Sequence, residues 1–385
     1  LPETSRTRSE LLTDLGEVLR ETGDFEQAET VLAEAIEAAA AFGDRAGEAY
    51  ARLIRLRMLM QVDPAVSADD LIRAAEEAIA IFEELGDERR LAKAWFILAW
   101  APWVKGRVAQ AETALERAVE VARRSGDERT EAQSVNLYLG AGLFGPTPVA
   151  DAVRRCEEEL ARPLHQRRAA AAAYRALACL RAMEGRFDEA RRMARQDRAI
   201  LDDLGLKVAA GMAAEAYGLV EILAGDPAAA ERELREGFEA LEEIGETSIL
   251  ANLAAMLAQA LYSQKRDAEA LRFSEISEQA SARDDLSSEV QWRAAQAKVR
   301  ARMGESGEAE RLALDAVALA EQTPDFSLLR GDALLDLGEV LIANGHPQAA
   351  VDPIETAARL YEQKGNVVSS KAARRRLAAI RETAN

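Results

Sequence analysis

Histidine and cysteine are almost missing from this sequence, with two of each in 385 residues: His165, His346, Cys156 and Cys179. Neither histidine has a second His or Cys at ligand spacing, which excludes the common zinc patterns. Two cysteines make no disulfide framework and suit a reducing, cytoplasmic compartment. A Gly-Lys-Ser/Thr phosphate loop is absent as well. No stretch approaches the roughly 20 consecutive apolar residues of a membrane-spanning helix, and no signal peptide is visible. The chain opens on Leu1-Pro2-Glu3-Thr4 and reads as the cut end of a longer polypeptide. Positive charge is also short: 49 Lys and Arg face 67 Asp and Glu, for a net charge of -18. Such a surface repels phosphate backbones and argues against nucleic-acid binding.

What is there is helix-forming. Hydrophobic residues make up 49% and aromatics only 5%, with 10 prolines in all. The apolar content is therefore mostly Ala, Leu, Val and Ile, beside abundant Arg and Glu. Such a composition asks for helices packed closely through small side chains.

An internal repeat organises the chain. Asp14-Leu15-Gly16-Glu17-Val18-Leu19 returns letter for letter as Asp336-Leu337-Gly338-Glu339-Val340-Leu341. Each copy is followed by a turn, Gly23-Asp24-Phe25 or Gly345-His346-Pro347, and then by Ala-x3-large-x2-Ala. The second-helix position recurs at Ala28, Leu71, Ala111, Ala152, Ala190, Ala230, Ala270, Ala309 and Ala350, in steps of 38 to 43 residues. Each unit reads as two antiparallel helices, with a glycine closing the first and Asp or Pro opening the second. Further breaks at Gly43-Asp44, Gly86-Asp87, Gly126-Asp127 and Gly245-Glu246 separate units. Small residues fall where helix axes approach to roughly 8–10 Å. The expectation is an all-α, right-handed superhelical solenoid of about nine helix-turn-helix units plus a C-terminal capping helix. The units lie at about 9–43, 44–86, 87–126, 127–165, 166–205, 206–245, 246–284, 285–324 and 325–365, with the cap at 366–383. Leu71 and the turn Val62 to Ser67 in unit two, Ser274 and Ser277 in unit seven, and Arg293 and Arg300 in unit eight depart from the pattern and predict units that are shifted, loosened or locally opened.

These positions resemble the tetratricopeptide repeat, with a period nearer 40 than its usual 34 or so. The segments Leu143–Val149, Leu223–Gly237 and Leu360–Val368 are also similar to the C-terminal repeat region of large bacterial signalling ATPases. That resemblance implies a regulatory array attached to a nucleotide-binding switch and a cyclase or DNA-binding effector. A free-standing adaptor for a peptide or protein is the alternative. Either way the chain itself is expected to be non-enzymatic and without a cofactor.

Two clusters are candidate sites. Phe96, Trp100 and Trp103 share one face of a first helix and project to the concave side, while Trp95 points into the inter-helix core. Phe144, Ile54 and Met58 extend that surface, which suits a protein, a peptide or a small ligand. Clustered tryptophan is a hot-spot composition; an aromatic core repairing a helix disturbed by Pro102 is the competing reading. The second cluster is basic: residues 154–198 hold 12 Arg against 7 Asp and Glu. Arg167, Arg168, Arg175, Arg191 and Arg192 form either a docking patch for an acidic partner or neighbouring domain, or a set of stems covering Ala-rich helices. Gly140-Ala141-Gly142-Leu143-Phe144-Gly145 has the spacing of a dinucleotide fingerprint, but its place near the end of a repeat helix is wrong for that motif.

Overall fold

The computed structural model describes residues 6–21, 24–62, 66–162, 167–244, 249–281, 285–323 and 325–383. His165, Gly23 and the Gly245-Glu246 break lie outside the described residues. Among these residues the fold is all α-helix, with nineteen helices and no strand. First and second helices alternate as α1 (Arg6–Glu21), α2 (Phe25–Phe42), α3 (Arg45–Val62), α4 (Ala68–Leu85), α5 (Glu88–Val104), α6 (Val108–Ser125), α7 (Glu128–Phe144) and α8 (Val149–Leu160). The series continues with α9 (Arg167–Met183), α10 (Phe187–Asp203), α11 (Lys207–Ala224), α12 (Pro227–Ile244), α13 (Leu250–Ser263) and α14 (Asp267–Ala280). It ends with α15 (Leu286–Arg302), α16 (Ser306–Ala320), α17 (Ser327–Ala343), α18 (Val351–Lys364) and the capping helix α19 (Val367–Thr383). Nine pairs and a cap are what the period predicts.

The pairing follows from side-chain size. At Gly16 a Cβ would lie 2.5 Å from Leu32 Cγ, so only glycine lets α1 meet α2 at this point. Gly43 ends α2 in the left-handed region at φ 72°, and its N–H donates back to the Ala39 and Ala40 carbonyls, a conformation L side chains rarely adopt. At the start of α4, Ser67 and Asp70 form a reciprocal capping box.

The helices gather into two compact units, Leu1–Trp103 with Gln110–Tyr138, and Val104–Ala109 with Leu139–Asn385. The core of the first runs from Ala28 and Leu32 through Leu53, Leu71 and Phe82 to Ile97 and Leu115. In the second, first helices stack on first helices, α9 on α11, α11 on α13, α13 on α15 and α15 on α17, and α19 returns to touch α9.

Residues 63–65 of the unit-two turn lie outside the described residues; the other departures do not loosen their units, contrary to the sequence expectation. Leu71 is fully buried. Ser274 and Ser277 are buried and hydrogen-bonded, their hydroxyls donating to the carbonyls of Leu271 and Ala251, each at 2.7 Å. A satisfied hydroxyl costs little in a close-packed seam. Arg293 donates to Glu289 and lies 4.1 Å from the Trp292 ring centroid, and Arg300 pairs with Glu305. Both stems cover apolar surface while their heads are neutralised.

Candidate functional site

In the first unit, Glu17, Arg57 and Trp100 occupy equivalent places on successive first helices, one residue past the register position held by Gly16, Leu56 and Ala99. The Arg57 guanidinium lies 5.4 Å from the Phe96 ring centroid and 5.5 Å from that of Trp100. Lys93 Nζ sits 2.6 Å from Glu17 Oε1 and 5.7 Å from the Phe96 ring. Burial opposes ionisation of Glu17, but Lys93, Arg57 and Arg129 outweigh it and hold the carboxyl below its ordinary range. Below them on the same face, Arg90 pairs with Glu10 and Asp87 and stacks on Tyr50. Aromatic surface and paired charge therefore meet on one face.

Several predicted residues fall elsewhere. Ile54 and Met58 have 0% exposure and belong to the core, so they extend no surface. Phe96 is also buried at 6%, whereas Trp95, expected in the core, is half-buried. Trp95 and Trp103 pack against the core cluster; Trp100 is half-buried and braced by Arg57. Phe144 belongs to the second unit, where it stacks on Phe326 with ring centroids 5.6 Å apart.

The second unit carries a polar network that the sequence reading missed. Lys298 donates to Gln259 and, at 2.7 Å, to Asp336, and is itself buried. Tyr262 and Arg376 both donate to Glu339 at 2.8 Å, and Arg302 lies 3.5 Å from the Tyr262 ring centroid. Tyr361 donates to Asp332 at 2.6 Å, and burial pushes the Asp332 carboxyl up to about 6. These residues lie mostly on first helices one repeat apart, at the spacing that joins Lys298 to Gln259. A charge at equivalent positions of neighbouring units is the signal that could have found them.

Lys364 is the other surprise. Its ammonium, 1% exposed, donates to the carbonyls of Gly142, Gly145 and Thr147 at 2.7, 2.8 and 2.6 Å. The glycine run at 140–145 thus uses carbonyl oxygens to hold a cation, the reverse of amides around a pyrophosphate.

Three of the five arginines of the basic stretch are engaged within the chain. Arg167 pairs with Asp203 at 2.5 Å, Arg175 with Asp197 at 2.9 Å and Arg191 with Glu221 at 2.6 Å, while Arg168 and Arg192 are exposed. Among the described residues no group of three His, Cys, Asp or Glu could hold a metal ion, and no helix is long and apolar enough to cross a membrane.

Residues 9–42 match the tetratricopeptide repeat family model. No curated protein sequence matches the chain. Among solved structures, a Rap protein complexed with competence and sporulation factor is similar at a TM-score of 0.52 and 13% identity, over 97% of this chain and 98% of that one. The apo form of RapI matches at a TM-score of 0.48 and 13% identity, over 96% and 98%. A signal transduction ATPase with a tetratricopeptide repeat sensor from Pyrococcus horikoshii matches at 0.45 and 14%, over 86% of this chain and 52% of that one. At these identities the likeness is one of fold, and the fold is a helical repeat of the tetratricopeptide type.

Proposed function

We propose that the chain is a non-catalytic, cytoplasmic regulatory module that binds a peptide or protein segment on the first-helix face of its first unit. The observation that carries this is Trp100, half-buried with the Arg57 guanidinium 5.5 Å from its ring centroid. A braced indole beside a cation is a ready anchor for an apolar side chain with a neighbouring carboxylate. Trp103 flanks it. The resemblance of the segments at 143–149, 223–237 and 360–368 supports a place in a multidomain bacterial signalling protein, an ATPase with a cyclase or DNA-binding effector. Similarity over 98% of a Rap protein complexed with competence and sporulation factor supports the second reading, a free-standing adaptor for a peptide or protein.

The test uses peptides selected on the purified chain from a displayed random library. Trp100→Ala should weaken them by about 2 kcal/mol, close to thirtyfold. The same substitution should destabilise the fold less than Ile97→Ala, a fully buried truncation expected to cost about 2–5 kcal/mol. Binding untouched by Trp100→Ala would place the site elsewhere.

A further inference from the structure

Of the large apolar residues left in solvent in the first unit, Phe42 and Leu85 stand alone at the ends of α2 and α4, and the other three share one helix. Leu11, Leu15 and Val18 on α1 are 53%, 46% and 48% exposed, and their spacing of four and three residues puts them in one stripe. The repeat register says what that stripe is. Leu11 and Val18 stand five residues before and two after the small position Gly16. The same two places around Ala99, Ala258 and Gly338 hold Ala94 and Ala101, Leu253 and Ala260, and Ala333 and Val340. All six are at most 2% exposed. Inside the array, this face of a first helix is where the preceding helical pair stacks, as α1 and α2 do on α3. Helix α19 presents a different surface: Lys371, Arg374 and Arg375 on it are exposed and polar.

We propose that α1 is an interior layer of a longer stack, and that its outer face seats one more helical pair of this repeat type carried on the same polypeptide. The stripe continues an interface built repeatedly within each unit, so its occupant needs the same aliphatic back surface. A second copy of the chain fits less well. Three half-exposed aliphatic side chains fall far short of the roughly 800 Å² per partner of a standard bimolecular interface. Tethering removes that requirement by raising the effective concentration.

The experiment supplies the missing layer. A tandem protein carries a duplicate of residues 6–44 joined directly ahead of residue 5 of the full chain. This junction keeps the twelve-residue step from Asp44 to Leu56 as the step from Asp44 to Gly16. Thr7→Ser in the added copy, at an exposed position, tells the two α1 peptides apart by mass. Hydrogen exchange of the original α1 should slow at least tenfold relative to the 385-residue chain. Leu15→Glu with Val18→Glu in the original copy should restore fast exchange, and the same pair should leave the melting temperature of the 385-residue chain unchanged. An α1 that exchanges equally fast in the tandem protein overturns the proposal, whether the added copy is helical by circular dichroism or unfolded. A 385-residue chain that sediments as a dimer, and as a monomer after Val18→Glu, also overturns it and makes the occupant a second copy.

Discussion

Lys364 and Gly145 stand 219 positions apart in sequence, yet the ammonium of one lies 2.8 Å from the carbonyl oxygen of the other. With Gly142 and Thr147 completing the set, three carbonyls at the end of α7 and its following turn use all three donors of one buried cation. Phe144 stacked on Phe326, and Gly365 against Val149, close the same seam. The C-terminal pair of the second unit is thereby fastened to α7 and α8.

Replacing that ammonium should be costly in a specific way. Lys364→Met keeps the stem but strands three buried carbonyls, and we expect a loss of about 3 kcal/mol or more in denaturant melts. Lys364→Arg should not rescue it, because a planar fork cannot aim donors at three carbonyls arranged around a point. Hydrogen exchange over 320–367 should rise with it. A stability change under about 1 kcal/mol would show that the seam holds without the cation.

Glycines offer a contrast of sign. Gly16→Ala gains helix propensity of about 1 kcal/mol, but its methyl must enter the space of the fully buried Leu32. Overpacking of about 1–3 kcal/mol should win, so the variant is destabilised. Gly307, in the first turn of α16, has nothing within 4 Å of a Cβ and is exposed. Gly307→Ala should leave stability unchanged or raise it by up to about 1 kcal/mol. Thermal melts of the two single variants read both signs.

Gly16 and its repeat counterpart Gly338 show what could be read in advance. Gly16 and Gly338 announce themselves because the requirement is local and repeats, so helix number, pairing and the capping helix were all legible. Trp100 and Trp103 could be read together because three residues separate them on a helix of fixed period. Phe96 is buried more deeply than Trp95, the reverse of the expectation, since one-residue register decides which of two adjacent aromatics goes deeper. Lys364 left no trace, because its partners are backbone carbonyls that any sequence possesses. The contact depends on how far the second unit curls, a sum of small angles over many repeats. The pair of Lys93 with Glu17 was hidden for a related reason: two repeats separate the partners.

The two thiols give a chemical check on the packing. Burial pushes Cys156 and Cys179 each up to about 12, and both are buried free cysteines. With almost no thiolate at pH 8, neither should react with an alkylating reagent in the native chain, and both should react once it is unfolded in guanidinium. Fast native labelling of Cys179 would show that α9 and α11 separate readily, against the interface seen here.

Glu215 on α11 sets a pH dependence whose sign can be worked out. Burial, and then repulsion from Asp285, raise its carboxyl to about 7 against the opposing pull of Arg175. The folded chain therefore holds this proton more tightly than the unfolded chain, whose Glu titrates near 4.3. Between about pH 4.5 and 7 the native state binds the extra proton, so this group's contribution to stability is complete below that window and is lost as pH rises through it. Glu215→Gln, which cannot ionise, should leave the melting temperature little changed at pH 4.5 and raise it at pH 8. The difference between variant and parent is the quantity to follow, because Glu17, held low by Lys93, titrates in the opposite sense in both proteins. A difference that stays flat from pH 4.5 to 8 would mean that Glu215 is as well solvated in the folded chain as in the unfolded one.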